Sequence, residues 1–349
     1  MHSRNPTPAA TPGALMSSRE RIRRAVTFEG PDRIPTDLWE LPAAKAKHGQ
    51  ALQAVKEEFS QDIGESGYEN CSEEYRIYEG GRFTDIWGST WQNPTPGVMG
   101  QVVEFPLDDW EHLSSFQPPF EHINKGFERV EDTIRAGDKF ILAPTMTLFH
   151  RMNWLRNTAD LYLDLAEGRR EVFRLRDLIH EYNVRWVKQN CKFSFNAIGM
   201  GDDWGSQQSL LISPRMWREH FKPCYKELFD LAHEAGKLVF FHSDGYIVEI
   251  IEDLIEIGVD ALNCQVWCMD PEELSRRFRG RLCFWGELDR QQLLPHGTPG
   301  QIRAAAQKMV DLFWTGGGGL IHQSEVGADV PLDNIRALLR AWKELRGTT

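Results

Sequence analysis

Four apolar runs in the last third of the chain each end in polar or ionisable residues, and each is followed by a helical pattern. They are LVFFHSD (238–244), ALNCQ (261–265), LCFWGELD (282–289) and LIHQSE (320–325). Strands alternating with helices at this spacing predict a parallel sheet joined by crossover helices. In such sheets ligands bind at the carboxyl ends of the strands. The pattern that sets the fold class therefore also nominates a site. His242, Asp244, Cys264, Glu287, Asp289, His322 and Glu325 all stand at those ends. Upstream, DRIPTDLWE, FILAPT and AIGMGDD read as three further strands. An eighth is expected inside 65–119, where aromatic and Gly residues alternate without a clean period. Eight strands close into a (β/α)8 TIM barrel, an α/β fold expected here as a single domain over 17–349.

Helix boundaries agree with this. SSRERIRRAVTF carries a capping serine ahead of Ile22, Ala25 and Val26, which predicts a short opening helix. Ala43 to Phe59, Asp160 to Glu167 and Glu171 to Cys191 are expected helices. Ser213 and Pro214 open a segment that Gly236 stops, and Thr298 and Pro299 open another. Gly316 to Gly319 precede a strand, the wrong order for a phosphate loop, and read as a turn. Residues 1–16, rich in Pro, Ala and Thr, are expected to be a disordered lead-in.

A formal net charge of −11 without a basic stripe argues against nucleic-acid binding. No apolar stretch approaches a membrane span. Six scattered cysteines in a chain of 349 residues, without a secretory signal, read as reduced thiols and point to a cytoplasmic enzyme. A homodimer is left open.

His242 and Asp244 flank Ser243, so on an extended strand both side chains point one way, as two ligands of one divalent ion would. Asp244 as a helix cap is the competing reading. Cys264 and Glu325, on other strands, are candidates to complete a ligand set. Of the adjacent Asp202 and Asp203, one is expected to face a substrate and the other the rim, with Gln207 nearby. Glu287 and Asp289, two apart, suit proton transfer or binding. Arg290 next to them offers a substrate anchor or an ion pair with Asp289. At the last strand either His322 with Ser324, or Gln323 with Glu325, faces inward. His150 and Arg151, after FILAPT, complete the substrate-binding candidates. Trp39, Trp87, Trp91 and Trp154 are placed to wall an apolar or aromatic ligand.

SSRERIRRAVTFEGPDRIP, FTDIWGSTW, PLDDW, FFHSDG, IEIGVDALN, GELD and VPLDNIRAL resemble the uroporphyrinogen decarboxylase superfamily along nearly the whole chain after residue 17. That resemblance implies one α/β barrel and two chemistries: decarboxylation of porphyrinogen acetates without a cofactor, and zinc-dependent methyl transfer involving corrinoid proteins, thiols or folate. In the methyltransferase branch it implies a His-x-Cys pair on one strand, a ligand on the next and a distant Cys near the last. Those positions fall here at His242 and Asp244, near Cys264 or Gln265, and at or beside Ser324. With two thiolates replaced, a harder set of His242, Asp244 and Glu325 is implied, suited to zinc or another divalent ion. The decarboxylase branch implies substrate-binding arginines near the N-terminus. Arg19, Arg21, Arg23 and Arg24 are here, but at surface-like helical spacing.

The combined expectation is a metal-dependent methyltransferase acting between a small methylated substrate and a corrinoid protein, thiol or tetrahydrofolate, with Asp203, Glu287 or Asp289 handling protons. One alternative is a metal-free decarboxylase using an inward Asp with Arg151 or Arg290. The other is a non-catalytic barrel whose acidic mouth binds a cationic small molecule.

Overall fold

The computed structural model describes residues 16–69 and 73–346. The expected lead-in therefore lies, up to residue 15, outside the described residues. Its strands are β1 (Thr36–Glu40), β2 (Ile63–Gly64), β3 (Gly81–Thr84), β4 (Thr90–Asn93), β5 (Gln101–Glu104), β6 (Phe140–Ile141), β7 (Ala197–Gly201), β8 (Leu238–Ser243), β9 (Ala261–Cys264), β10 (Cys283–Trp285) and β11 (Leu320–Val326). Six of them pair in the order β1-β11-β10-β9-β8-β7, and β2 pairs with β6. The ring closes where Leu142 bridges Ala197 and where Asp62 N–H donates to Thr36 O at 2.8 Å. All barrel pairings are parallel, giving the expected (β/α)8 barrel.

The eighth strand is β2, two residues long, and it precedes the 65–119 region instead of lying within it. Nor is that region wholly irregular, because β3, β4 and β5 form an antiparallel meander. It leans on the short helix Phe149–Leu155 at the barrel mouth: Trp91 meets Trp154 edge to face at 5.3 Å, and Ser89 Oγ donates to Trp154 O at 2.7 Å. The segment opened by Ser213 is two helices, Pro214–His220 and Lys222–Glu234. Pro223 cannot donate to the preceding turn, so the chain breaks at Phe221. Ser213 caps as expected, accepting from Met216 N, and Thr298 forms a capping box with Gln301.

Strand alternation divides the apolar residues into two cores. Side chains of β8, β9 and β10 such as Val239, Leu262 and Phe284 meet the helix layer. Phe240, Ala261, Trp285 and Ile321 fill the barrel interior, where Ile22 and Val26 of the opening helix plug its amino end. Gly318 and Gly319 let that helix lie close: a Cβ at Gly318 would stand 2.3 Å from Ala25 O. The sequence reading of this glycine run as a turn therefore acquires a packing reason.

The same alternation decides β11. Gln323 and Glu325 point inward, while His322 points out, buried and stacked on Trp342 with ring centroids 5.7 Å apart. Burial, with a smaller contribution from the Arg346 charge, pushes the His322 pKa down to about 3. Between that value and the unfolded value of about 6.5 only the unfolded chain takes the proton, so stability falls as pH falls through this window. His322→Phe is expected to make stability less dependent on pH from 6 to 4, by up to about 1.4 kcal/mol per pH unit. Urea unfolding at several pH values measures this, and an unchanged slope would refute it.

Candidate active site

At the carboxyl mouth, neighbouring strands in register bring Gly201, His242 and Asn263 side by side. His242 Nε2 lies 3.4 Å from Asp203 Oδ1 and 3.6 Å from Asp244 Oδ1. Its other nitrogen, Nδ1, donates to Asn263 Oδ1 at 2.6 Å. That assignment follows from Asn263, whose Nδ2 donates to Trp285 O and to Gln323 Oε1 at 2.9 Å, leaving Oδ1 as the acceptor. With Nδ1 carrying hydrogen, the neutral ring presents the Nε2 lone pair to the two carboxylates. Without a further cation the ring is protonated: burial opposes this, but Asp203 and Asp244 raise its pKa to about 9. Asp203 is held far below the usual carboxylate range because hydrogen bonds to His150 and His242 outweigh its burial. Asp244 Oδ1 is buried and has no hydrogen-bond donor among the described residues.

Asp202 and Asp203 divide their work as adjacent strand-end residues must. Asp203 faces the mouth. Asp202, fully buried, turns to the N-terminus of helix Phe149–Leu155 and accepts from Leu148 N at 2.8 Å, His150 N at 2.7 Å and Tyr225 Oη at 2.8 Å. Burial raises its pKa, with the charge of His150 and these donors opposing. It fixes the helix that brings His150 Nε2 to 3.3 Å from Asp203 Oδ2.

Arg290 gathers the remaining acids. Its guanidinium pairs with Asp244 Oδ2, lies 2.5 Å from Glu325 Oε1, and stands 3.7 Å from Glu287 Oε1. Glu287 is 3% exposed, and burial pushes its pKa up to about 8 although Arg290 pulls it down. Burial thus favours the protonated form of this carboxyl, the form that can donate a proton.

Of the other sequence-predicted residues, Gln207 reaches the rim beside Gln265, at 3.4 Å. Arg151 is buried between the rings of Trp87 and Trp154, 4.6 Å from each centroid, and 3.5 Å from Asp85, in an aromatic cavity of about 420 Å³. Asp289 does not pair with Arg290; its Oδ1 caps the turn through Gln291 N and Gln292 N, both at 2.9 Å. Cys264 and His322 stand apart from the cluster. Both occupy outward positions, and burial, reinforced by Glu287, keeps the Cys264 thiol from ionising. Ser324 is also outward, its hydroxyl accepting from Leu288 N at 3.2 Å. Glu325 faces in but is held on Arg290, away from His242.

Among the described residues, the cluster able to hold a cation is Asp203, His242 and Asp244, whose ligand atoms lie within 4.8 Å of one another. Beside it opens a cavity of about 250 Å³ walled by Trp39, Phe240 and Trp285. Trp39 and Trp285 meet edge to face at 5.0 Å, and both indole N–H groups donate to Asp37 Oδ2, at 2.8 and 3.0 Å. Burial raises the Asp37 pKa to about 6.

In comparison with known proteins, the uroporphyrinogen decarboxylase family model matches residues 136–345, more than half the chain. The chain belongs to the uroporphyrinogen decarboxylase family. Among solved structures it is similar to a methyltransferase from Methanosarcina mazei, with a TM-score of 0.71 and 16% identity over 94% of this chain and 98% of that one. A B12-independent methionine synthase from a Shewanella species is a more distant likeness, with a TM-score of 0.46 and 10% identity over 84% of each chain. No curated protein matches in sequence. No helix among the described residues is long and apolar enough to cross a membrane.

In this uroporphyrinogen decarboxylase family member, one of the opening arginines departs from the surface set that their spacing suggested, while Arg19, Arg23 and Arg24 stay partly exposed. Arg21 is buried, ion-paired with Asp32 at 2.6 Å and Asp62 at 2.7 Å at the amino end of the barrel, opposite the mouth. Sequence reasoning missed Asn263, Trp285, Gly199 and Gly201, and left Gln323 as one of two inward alternatives on the last strand. Strand parity counted from His242 to its neighbours was the available signal for Asn263.

Proposed function

We propose that this protein is a metal-dependent methyltransferase, moving a methyl group between a small methylated substrate and a corrinoid protein, thiol or folate. The observation that carries this reading is the Asp203, His242 and Asp244 cluster, with Nε2 turned toward both carboxylates and a buried Asp244 Oδ1 lacking a donor. One imidazole and two carboxylates fit zinc or another divalent ion, which would supply Lewis-acid activation of the oxygen, nitrogen or sulfur that gives up or receives the methyl group. Asn263 orients His242, and Arg290 orients Asp244, as outer partners of ligands do. His150 holds Asp203 from its other side. Glu287, whose pKa burial raises, would be the acid that protonates a departing heteroatom. Family membership and the methyltransferase-like fold support the reaction class.

The geometry favours transfer over decarboxylation. Arg290 is taken up by Asp244 and Glu325, and Arg151 by Asp85 and two indoles, so neither is poised for a substrate carboxylate. A cationic ligand at the mouth would likewise compete with Arg290.

Metal content and zinc titration of the purified protein test the proposal. About one zinc per chain is expected, and Asn263→Ala should weaken its binding by about 10- to 100-fold. Protein that takes up no divalent ion, and turns over no methylated substrate with one supplied, would refute it.

A further inference from the structure

Two glycines occupy barrel positions where neighbouring strands carry large side chains. Gly199 and Gly201 pair in register with Phe240 and His242, so they share the inward face of β7. Neither has a positive φ. A Cβ on Gly201 would meet nothing closer than His242 Cβ at 3.4 Å, an ordinary contact, and one on Gly199 would meet Thr145 Oγ1 at 3.1 Å. Backbone conformation therefore does not demand glycine, and at Gly201 packing does not either. A glycine inside a strand packs nothing and costs more conformational entropy on folding. What these two leave behind is the cavity of about 250 Å³ against Trp39, Phe240 and Trp285. An apolar cavity of about 150 Å³ suffices for benzene. The walls are rings set edge to face, with Phe240 and Trp285 at 74° and 5.0 Å. Among the described residues, no ionisable side chain other than His150 and His242 lines the space.

We propose that Gly201, with Gly199 beside it, sets substrate specificity by making room for a flat, uncharged aromatic ring, laid against Trp39, Phe240 and Trp285 with a polar substituent directed toward His242. This deepens the proposed function, which supplies the reacting end, but binding of the ring requires no metal. Offset and edge-to-face contacts with three aromatic walls favour a ring over a saturated body of equal size. The cavity also offers an anion no cationic partner beyond the two histidines, which Asp203 already engages, and otherwise only the uncharged hydroxyls of Thr145 and Thr147.

The test is binding of phenol to the full-length protein by saturation-transfer NMR and calorimetry, with cyclohexanol and benzoate as controls and zinc titrated in parallel. Phenol is expected to bind the wild type with a dissociation constant of about 1 mM, within the range for so few atoms, and more tightly than either control. Gly201→Ala should weaken it about threefold, and Gly201→Val at least about tenfold, while Gly201→Ala keeps or raises Tm. A structural glycine would give the reverse: lower Tm and unchanged phenol affinity. If Gly201→Val does not fold, Gly201→Ala decides. Phenol that binds both variants like the wild type, fails to bind at all, or binds no better than benzoate overturns the proposal. Phenol binding lost in the variants while no zinc is taken up supports it and sinks the metal reading alone. Zinc binding with no response of phenol to either substitution sinks this inference alone.

Discussion

Asp62→Ala is expected to destabilise the protein by about 3–5 kcal/mol, the range found when one partner of a buried ion pair is removed. The carboxylate is fully buried and accepts from Ser18 Oγ at 3.0 Å, Arg21 Nη1 at 2.7 Å, Arg33 Nη1 and Nη2 at 2.7 and 2.9 Å, and Thr36 N at 2.9 Å. One side chain thus ties the opening helix, the segment before β1, and β1 itself to the start of β2. Removing it leaves Arg33 without its carboxylate, leaves Arg21 with Asp32 alone, and strips the Thr36 N–H of its acceptor. Burial tends to raise the Asp62 pKa, but Arg33, Thr36 and Arg21 together hold it below the usual carboxylate value. A lowered folded pKa contributes stability above the unfolded value of about 3.9 that is lost as pH falls through the folded one. The loss in Asp62→Ala should therefore be full at pH 7 and shrink in strong acid. Chemical denaturation at both pH values measures this, and a cost below about 1 kcal/mol at pH 7 would contradict the keystone role assigned to Asp62.

His242→Ala is expected to lower zinc affinity by more than about 100-fold, the upper figure for losing an outer partner of a ligand, and to take methyl transfer to background. The substitution removes the one nitrogen that faces both Asp203 and Asp244. It also removes the positive charge that separates these carboxylates in metal-free protein, so the variant should respond to added divalent ions weakly and nonspecifically. Calorimetric zinc titration gives a readout independent of any substrate. Wild-type zinc affinity in His242→Ala would remove this histidine from the ligand set.

Much of the barrel was legible in the chain because apolar strands followed by capped helices are local patterns. The runs ending in His242, Asp244 and Glu287 announced both the strands and the end at which polar side chains converge. β2 was hidden because two residues carry no periodicity, and its partner β6 is equally short. Pro223 breaks the helix that Ser213 opens, although the local cap and the apolar periodicity on both sides of the proline read as one continuous helix. Strand parity explains most of what happened at the site. His242 and Asp244 share a face because they are two residues apart, and Asp202 and Asp203 divide because they are one apart. The same rule sends Cys264 and Ser324 outward once Asn263 and Gln323 are known to point in. That choice depends on register with β8, which no single strand contains.

The sequence by itself determined the fold class, the mouth of the barrel as the place of chemistry, and the pairing of His242 with Asp244, since each follows from periodicity or from residues two apart on one strand. Tertiary structure decided that Asp203 joins them, that Arg290 engages Asp244 and Glu325 instead of Asp289, and that Gly199 and Gly201 open a ring-sized space beside Trp39 and Trp285. These contacts join residues tens to hundreds of positions apart. They depend on barrel closure and strand register, which set distances that a linear pattern does not encode.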